Sequence, residues 1–211
     1  MIRGTQAYAA QANELARRYE AIAFVDKHQA VLHLLPDAPA AVLDIGAGTG
    51  ADAAWLAERG HLVVAVEPTG EFRARGMALH PSPSIEWIDD HLPTLEHVLV
   101  RGQRFGLVLL TAVWMHLDEP ERRVAMPRIA SLLAPQGVLV MALRHGPMPA
   151  GRIMFDVSAM ETIALAQDCG LRPLLDVRTA SAQGINRDAG VTWSRLVFEP
   201  VRILERPVAR E

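Results

Sequence analysis

"VLDIGAGTG", residues Val42–Gly50, is an apolar run that closes on one carboxylate, Asp44, and is followed by glycines at 46, 48 and 50. A short run of branched residues bounded by glycine reads as a buried strand entering a tight turn. Alternate glycines permit positive φ and let a ligand approach the main chain, and the helical pattern beginning near Ala51 offers unpaired N–H groups. The turn therefore predicts a phosphate, a dinucleotide or another nucleoside as ligand. The flanking residues decide among them.

Outward from that turn, apolar runs alternate with helical segments. "HLVVAVEP", "SIEWID", "RFGLVLLTAV" and "QGVLVMALR" join "AVLDIG" as five Val, Leu and Ile-rich runs of the kind covered on both faces of a parallel sheet. Between them, "ADAAWLAERG" stops at Gly60 and "TGEFRARGMAL" starts from Thr69 as N-cap. "DEPERRVAMPRIASLLAP" opens with Asp118 and Glu121 at capping-box spacing and carries Pro127, where a kink is expected. "SAMETIALAQDCG" repeats the box with Ser158 and Glu161. This alternation predicts a doubly wound α/β sheet with right-handed crossovers. "LRPLLDVRTA" and "VTWSRLVFEP", separated by the polar "SAQGINRDAG" with no helical pattern, are expected to form a terminal antiparallel hairpin. The segment before the first strand reads as helices that end at Pro36 and Pro39.

Composition narrows the class. With 211 residues, 50% apolar and 21% charged, the chain reads as one globular domain. No run approaches the roughly 20 apolar residues of a membrane span, and Met1–Ala10 lacks the order of a leader, so a cytoplasmic protein with no membrane partner is expected. A net charge of -3 offers no field for nucleic acid. Nothing in the pattern specifies an oligomer. Cys169 is the single cysteine and reads as a small buried hydrophobe, and the histidines lack metal-ligand spacing, so no metal is expected. Only Lys27 among 21 basic residues is lysine, a bias that discounts any argument from a single arginine.

The glycine turn has neither the lysine nor the hydroxyl of a Walker loop. "GAGTGA" satisfies G-x-G-x-x-G/A and leaves a nicotinamide or flavin dinucleotide open, but a pyrophosphate would be repelled by Asp44. Glu67 ends the second strand about 20 residues beyond Gly46, where an acid accepts hydrogen bonds from both ribose hydroxyls. A carboxylate before the turn suits a ligand with a cationic end.

Together "VLDIGAGTG" and "VVAVEP" resemble motif I and the post-I acid of the class I S-adenosylmethionine-dependent methyltransferases, a likeness extending over about residues 40–145, with a helix-strand-strand ending like that family's. The resemblance implies a seven-stranded mixed sheet of the Rossmann-like methyltransferase fold with an antiparallel terminal strand. It implies one domain, 1–211, in which 39–211 is the cofactor-binding core and 1–38 a helical cap over the substrate. S-adenosylmethionine would be the cofactor and S-adenosylhomocysteine the product. Asp44, Gly46, Ala47, Gly48 and Gly50 would lie against the methionine moiety, Glu67 and Pro68 at the ribose, Asp89 or Asp90 at the adenine, and Thr111 beside the cofactor.

At the end of the fourth strand "TAVWM", 111–115, lacks the Asp/Asn-Pro-Pro-aromatic motif of nucleic-acid amine methyltransferases, the metal-binding aspartate of catechol-type enzymes and the spaced glutamates of the arginine-directed ones. A small-molecule acceptor reacting through O, N or S, without metal, is left. His116 is the candidate general base. Trp114 is a candidate wall of the site, Arg144, His145 and Arg152 flank a Gly/Pro-rich loop suited to an acidic substrate group, and Tyr8, Tyr19, Arg17 and Arg18 are candidate lid residues. Two rivals stay open: an NAD(P)-dependent oxidoreductase, against which Asp44 and the absence of a Tyr-x-x-x-Lys pair weigh, and a non-catalytic nucleoside-binding regulatory protein.

Overall fold

The computed structural model describes residues 12–149 and 151–201. Helices α1 (Ala12–Glu20) and α2 (Phe24–His28) and a 3-10 turn (Leu32–Leu34) precede β1 (Ala41–Ile45). The chain continues through α3 (Ala51–Ala57), β2 (Leu62–Val66), α4 (Gly70–Leu79), β3 (Ile85–Ile88), α5 (Glu96–Leu99) and β4 (Phe105–Thr111). A 3-10 turn (Trp114–His116), α6 (Glu119–Leu132), β5 (Leu133–His145), α7 (Ala159–Asp168), β6 (Leu171–Ala180), α8 (Gly184–Asp188) and β7 (Thr192–Pro200) complete it.

The seven strands form one sheet in the order β3-β2-β1-β4-β5-β7-β6. β1 to β5 run parallel, and β7 is antiparallel to both β5 and β6. Successive side chains of a strand point to opposite faces, and here each face has its own core. Leu43, Ile45, Val64, Val66, Val108 and Leu110 join α6 and α7 in one cluster. Val42, Val63, Ala65, Leu107 and Leu109 join Phe24 of α2 and Leu56 of α3 in the other. Both faces are covered, which is why the parallel strands read as continuous apolar runs.

The caps explain where the helices begin. Asp118 accepts from the Glu121 amide at 3.0 Å, and the Glu121 carboxylate accepts from the Asp118 amide at 2.9 Å, a complete capping box. At α7 only half of the expected box forms: Ser158 Oγ accepts from the Glu161 amide, but the Glu161 carboxylate takes Arg122 at 2.7 Å instead. Arg122 is buried and outcompetes the N-cap amide for that carboxylate. Thr69 caps α4 by position without a side-chain bond. Two further expectations are corrected. α6 stops at Leu132, and Leu133–Pro135 enter β5 through an irregular register with β4. "SAQGINRDAG" is not featureless, because Gly184–Asp188 wind into α8, with Asn186 donating to Gln183 Oε1 at 2.8 Å.

The sheet order reverses between β1 and β4, and the crevice beyond their carboxyl ends is where a doubly wound sheet holds its ligand. No helix of the described residues is long and apolar enough to cross a membrane.

Candidate active site

A cavity of about 670 Å³ opens over that switch point, the size of a small-molecule site. Its floor is the turn after β1. Gly46, Gly48 and Gly50 have φ of 73°, 58° and 79°, the left-handed region that glycine enters without strain. A Cβ on Gly46 would stand 2.3 Å from Val113 Cγ2, so the close approach of the β4 loop also requires glycine. Gly46 and Ala47 both donate to the Val66 carbonyl, at 2.8 and 3.0 Å, which ties the turn to β2. Gly50 lies behind the cavity wall, as N-cap of α3 against the indole of Trp87.

Asp44 stands opposite Ala65 and Leu109, is 2% exposed, and faces the cavity. Its Oδ2 is buried without a hydrogen-bond partner. Burial pushes its pKa up to about 8, helped by the charge of Asp52 and opposed by Lys27. Asp52, on the first turn of α3, has the opposite fate. Burial works against its ionisation, but Lys27 Nζ at 2.7 Å and His28 Nε2 at 2.9 Å outweigh it and hold the carboxyl well below the usual range.

Glu67 ends β2 with its carboxylate facing the turn. Oε2 accepts from the Gly48 amide at 2.9 Å and Oε1 from the Thr69 amide at 2.8 Å. Burial raises its pKa while those two amides pull it down. The Thr69 hydroxyl donates to the same carboxylate, and these three donors orient it while leaving it capacity to accept. Pro68 and Thr111 are also on the wall, and Thr111 Oγ1 is buried without a partner.

The two aspartates after β3 separate. Asp90 reaches the wall, 4% exposed, its oxygens accepting from the His91 and Val98 amides at 2.8 and 3.0 Å. Asp89 points to solvent and pairs with Arg73 at 2.6 Å. On the opposite wall His116 Nδ1 bonds the Ile153 carbonyl at 2.7 Å. A carbonyl only accepts, so Nδ1 carries the hydrogen and the neutral ring has its lone pair on Nε2. Burial lowers the pKa of His116, and the nearby charge of Arg152 acts in the same direction. Tyr19 of α1 closes the cavity over Gly48 and accepts from Arg152; burial drives its pKa up.

The model of the methyltransferase domain family matches residues 42–137, the stretch from β1 into β5 that builds this floor. Residues 42–137 thus match the methyltransferase domain family. An uncharacterized methyltransferase of Mycobacterium tuberculosis is 37% identical over 111 residues, 53% of this chain and 42% of that protein. Glycine N-methyltransferase of Mus musculus is 30% identical over 117 residues, 49% of this chain and 40% of that enzyme. The matched part thus spans about two fifths of those relatives. Among solved structures, 1,6-didemethyltoxoflavin-N1-methyltransferase of Burkholderia thailandensis, crystallised with 1,6-didemethyltoxoflavin and S-adenosylhomocysteine, superposes with a TM-score of 0.72 at 20% identity, covering 94% of this chain and 87% of that one. N-methyltransferase NodS of Bradyrhizobium japonicum, in complex with S-adenosylhomocysteine, gives 0.63 at 16% identity, covering 88% and 87%. These likenesses are of fold.

Besides Gly50, four expected site residues stand elsewhere. Trp114 is fully buried in the core beneath the β4 loop and lines no part of the cavity, because its indole fills the space between the sheet and α6. His145 turns to β7, where its Nε2 meets Ser194 Oγ at 2.9 Å. Asp89 is drawn off by Arg73, and Arg17 is exposed on α1 while Arg18 reaches the wall. Tyr8 lies outside the described residues. Arg144 and Arg152 line the cavity as expected. Cys169 is half-buried at the end of α7, packed against the edge of the core.

Lys27, Asp52 and Arg195 were missed. Lys27 is the only lysine, and its singularity in a chain that otherwise uses arginine was the available signal. Asp52 stands in the first turn of α3, a place where acids are common because they complement the helix dipole, so its position gave no signal. Arg195 sits on β7 in the alternation Trp193, Arg195, Val197, a charge on an otherwise apolar face.

Proposed function

We propose that the protein transfers a methyl group from S-adenosylmethionine to a nucleophilic atom of a small molecule. Asp44 carries this reading: a buried acid at the switch point whose Oδ2 lacks a partner is a receptor for a cationic ligand end, and a pyrophosphate would leave it unmatched. When bound, the cofactor supplies a sulfonium carbon whose bond to sulfur breaks, leaving its electrons on sulfur, as the acceptor lone pair forms the new bond.

The chain's residues supply the rest. Asp44 and the backbone of Gly46 to Gly48 receive the methionine end, Glu67 accepts from the ribose hydroxyls with the capacity its Gly48 and Thr69 donors leave, and Asp90 bounds the adenine end. Tyr19 and Arg152, hydrogen-bonded to each other, close the cavity and exclude water. His116 Nε2 takes the proton from an acceptor that arrives protonated; its lowered pKa keeps the ring neutral and ready at pH 7. Alignment of nucleophile, methyl carbon and sulfur within a rigid cavity is the main source of rate, worth roughly 7 to 11 kcal/mol when geometry is good.

Calorimetric titration with S-adenosylhomocysteine, S-adenosylmethionine and NADH tests the reading. Binding of the first two and not the third is expected, followed by label transfer to a small molecule when cell extract is incubated with the protein and a methyl-labelled donor. Binding of NADH alone would return the oxidoreductase, and cofactor binding with no labelled product under any condition would leave a nucleoside-binding regulator.

A further inference from the structure

The cavity is electrically divided. Asp44, Glu67 and Asp90 stand on the side of β1, β2 and β3, with Asp52 held by Lys27 beside them, whereas Arg144, Arg152 and Arg195 line the part beyond β4, where Glu121 of α6 also reaches the wall. Arg195 is the unusual member. It is 5% exposed, yet it reaches the cavity wall. On β7 it is flanked by Ala142 of β5 and Val177 of β6, so its register partners offer no charge. Its Nε is 3.4 Å from Thr179 Oγ1 and its guanidinium carbon 5.4 Å from the centre of the Trp193 ring. Among the described residues no carboxylate lies at ion-pair distance from it. Asp52 acts on it only from farther away, and both oxygens of Asp52 are already taken by Lys27 and His28.

A polar group without a partner stands in the same row. Thr111 of β4, Ala142 of β5 and Arg195 of β7 are register partners across three strands, so their side chains share one face of the sheet. Thr111 Oγ1 is buried with no partner. Two strand spacings separate the threonine from the arginine, about 10 Å, and between them Ala142 projects only a methyl group. A hydroxyl donor and a guanidinium fork therefore flank a gap on the acceptor side. Burial lowers the pKa of Arg195 to about 10, so it is still a cation at neutral pH. A buried cation without a counter-ion is costly unless a ligand brings one.

We propose that the acceptor is a small molecule bearing a carboxylate or a similar oxyanion, which pairs with the Arg195 guanidinium and takes the Thr111 hydroxyl. This rests on the methyl-transfer reading, in which the same cavity holds cofactor and acceptor together. The other source of a carboxylate is the methionine end of the cofactor itself, and the test separates the two.

Benzoate and its neutral isostere benzamide are titrated into the protein with and without saturating S-adenosylhomocysteine, using calorimetry and thermal melts, for the wild type, Arg195→Met and Arg195→Lys. Saturable benzoate binding is expected, at least tenfold tighter than benzamide, lost at least tenfold in Arg195→Met and partly kept in Arg195→Lys. S-adenosylhomocysteine affinity should stay within twofold in both variants. Arg195→Met should melt no lower than wild type without ligand, since it removes an uncompensated charge; a lower melting temperature would mark a structural arginine and overturn the proposal. Equal binding of benzoate and benzamide, or benzoate binding retained by Arg195→Met, would also overturn it. Loss of S-adenosylhomocysteine affinity in Arg195→Met would assign the arginine to the cofactor carboxylate and refute an acceptor anchor. Failure of wild type to bind S-adenosylhomocysteine condemns the methyl-transfer reading instead, while the ligand-free benzoate titrations still decide whether Arg195 binds an anion.

Discussion

Asp44→Asn should move ligand affinity and ligand-free stability in opposite directions. With a pKa of about 8, raised by burial and by the charge of Asp52, the carboxyl is ionised in roughly one molecule in ten at pH 7. A cationic ligand end needs the ionised form. Binding at pH 7 should therefore expel roughly 0.9 proton, and affinity should rise about ninefold from pH 6 to pH 7 and about fivefold more from pH 7 to pH 8. Calorimetry with S-adenosylhomocysteine in buffers of different ionisation enthalpy counts the proton directly. In Asp44→Asn the proton release should vanish and affinity fall roughly 10- to 100-fold, about 1.4 to 2.7 kcal/mol.

Stability follows from the same proton. In the unfolded chain this carboxyl titrates near 3.8, so between there and about 8 the native state binds more protons than the unfolded one. The contribution of Asp44 is then fully present below about pH 4 and declines as pH rises toward 8, by an upper limit of roughly 5 kcal/mol, reduced by whatever relaxation the interior allows. Asparagine carries no charge at any pH. At pH 8 the ligand-free Asp44→Asn protein should melt several degrees above wild type, roughly 2 to 4 °C for each kcal/mol, with the gap closing near pH 4. A variant that melts lower at pH 8 and keeps wild-type affinity would refute both halves of the reasoning.

Gly46→Ala forces a Cβ to within 2.3 Å of Val113 at a φ of 73°, and should lower stability by roughly 1 to 3 kcal/mol in urea unfolding and weaken S-adenosylhomocysteine binding. Lys27→Met leaves Asp52 with His28 alone and should cost roughly 2 kcal/mol, below the 3 to 5 typical of a broken buried pair because Lys27 is part-exposed and one partner remains. Asp52 has a lowered pKa, so its contribution is present above the unfolded value near 3.8 and disappears as pH falls below it; the Lys27→Met deficit should shrink in acid melts below pH 4. His116→Ala should reduce kcat for a protonated acceptor by roughly 100- to 10,000-fold with cofactor affinity kept within twofold, a result read by comparing turnover with titration. Glu161→Gln removes the anion that Arg122 meets at 2.7 Å and should cost about 1 to 2 kcal/mol, without effect on the cavity.

The legible parts of the fold and site are those set by local chemistry. Apolar runs closing on glycine define the five parallel strands, since a strand buried on both faces has to be apolar at every position. Asp118 and Glu121 announce the start of α6 because both halves of their box lie within one turn. The glycine turn and Glu67 were readable for the same reason, as one backbone amide from each of two adjacent loops fixes that carboxylate. What escaped depends on tertiary partners. Glu161 has the right spacing for a reciprocal cap, yet a buried arginine 39 residues away claims it. Asp89 and Asp90 are adjacent and chemically identical, and only the position of Arg73 on α4 sends one to solvent and leaves the other at the wall. Trp114 follows β4 directly, but the 3-10 turn rotates it under the sheet rather than over it.

The paired aspartates of the cavity floor give α2 a part in the electrostatics of the cavity. Asp44 and Asp52 lie in the same buried layer, eight residues apart, and each raises the cost of charging the other. Two ionised carboxylates there would be mutually destabilising, and the cavity eases the conflict by placing Lys27 and His28 in direct contact with Asp52, while Lys27 acts on Asp44 only from a distance. Asp52 is thereby neutralised within the protein, and Asp44 is left as the acid that a ligand must satisfy. Both of the residues that make this choice come from α2, a five-residue helix whose Phe24 stacks on Trp55 of α3 at 3.9 Å. Docking of α2 thus sets which carboxylate of the floor is open to a ligand, while α1, through Tyr19 and Arg18, closes the cavity above it. Truncation after α1 and truncation after α2 should therefore differ in kind: the first should increase solvent access to a cavity that still binds S-adenosylhomocysteine, whereas the second should free Asp52 as a competing buried charge, raise the pKa of the floor further and abolish binding at pH 7. Equal loss from both truncations would assign α2 to the lid and leave the division between Asp44 and Asp52 without functional consequence.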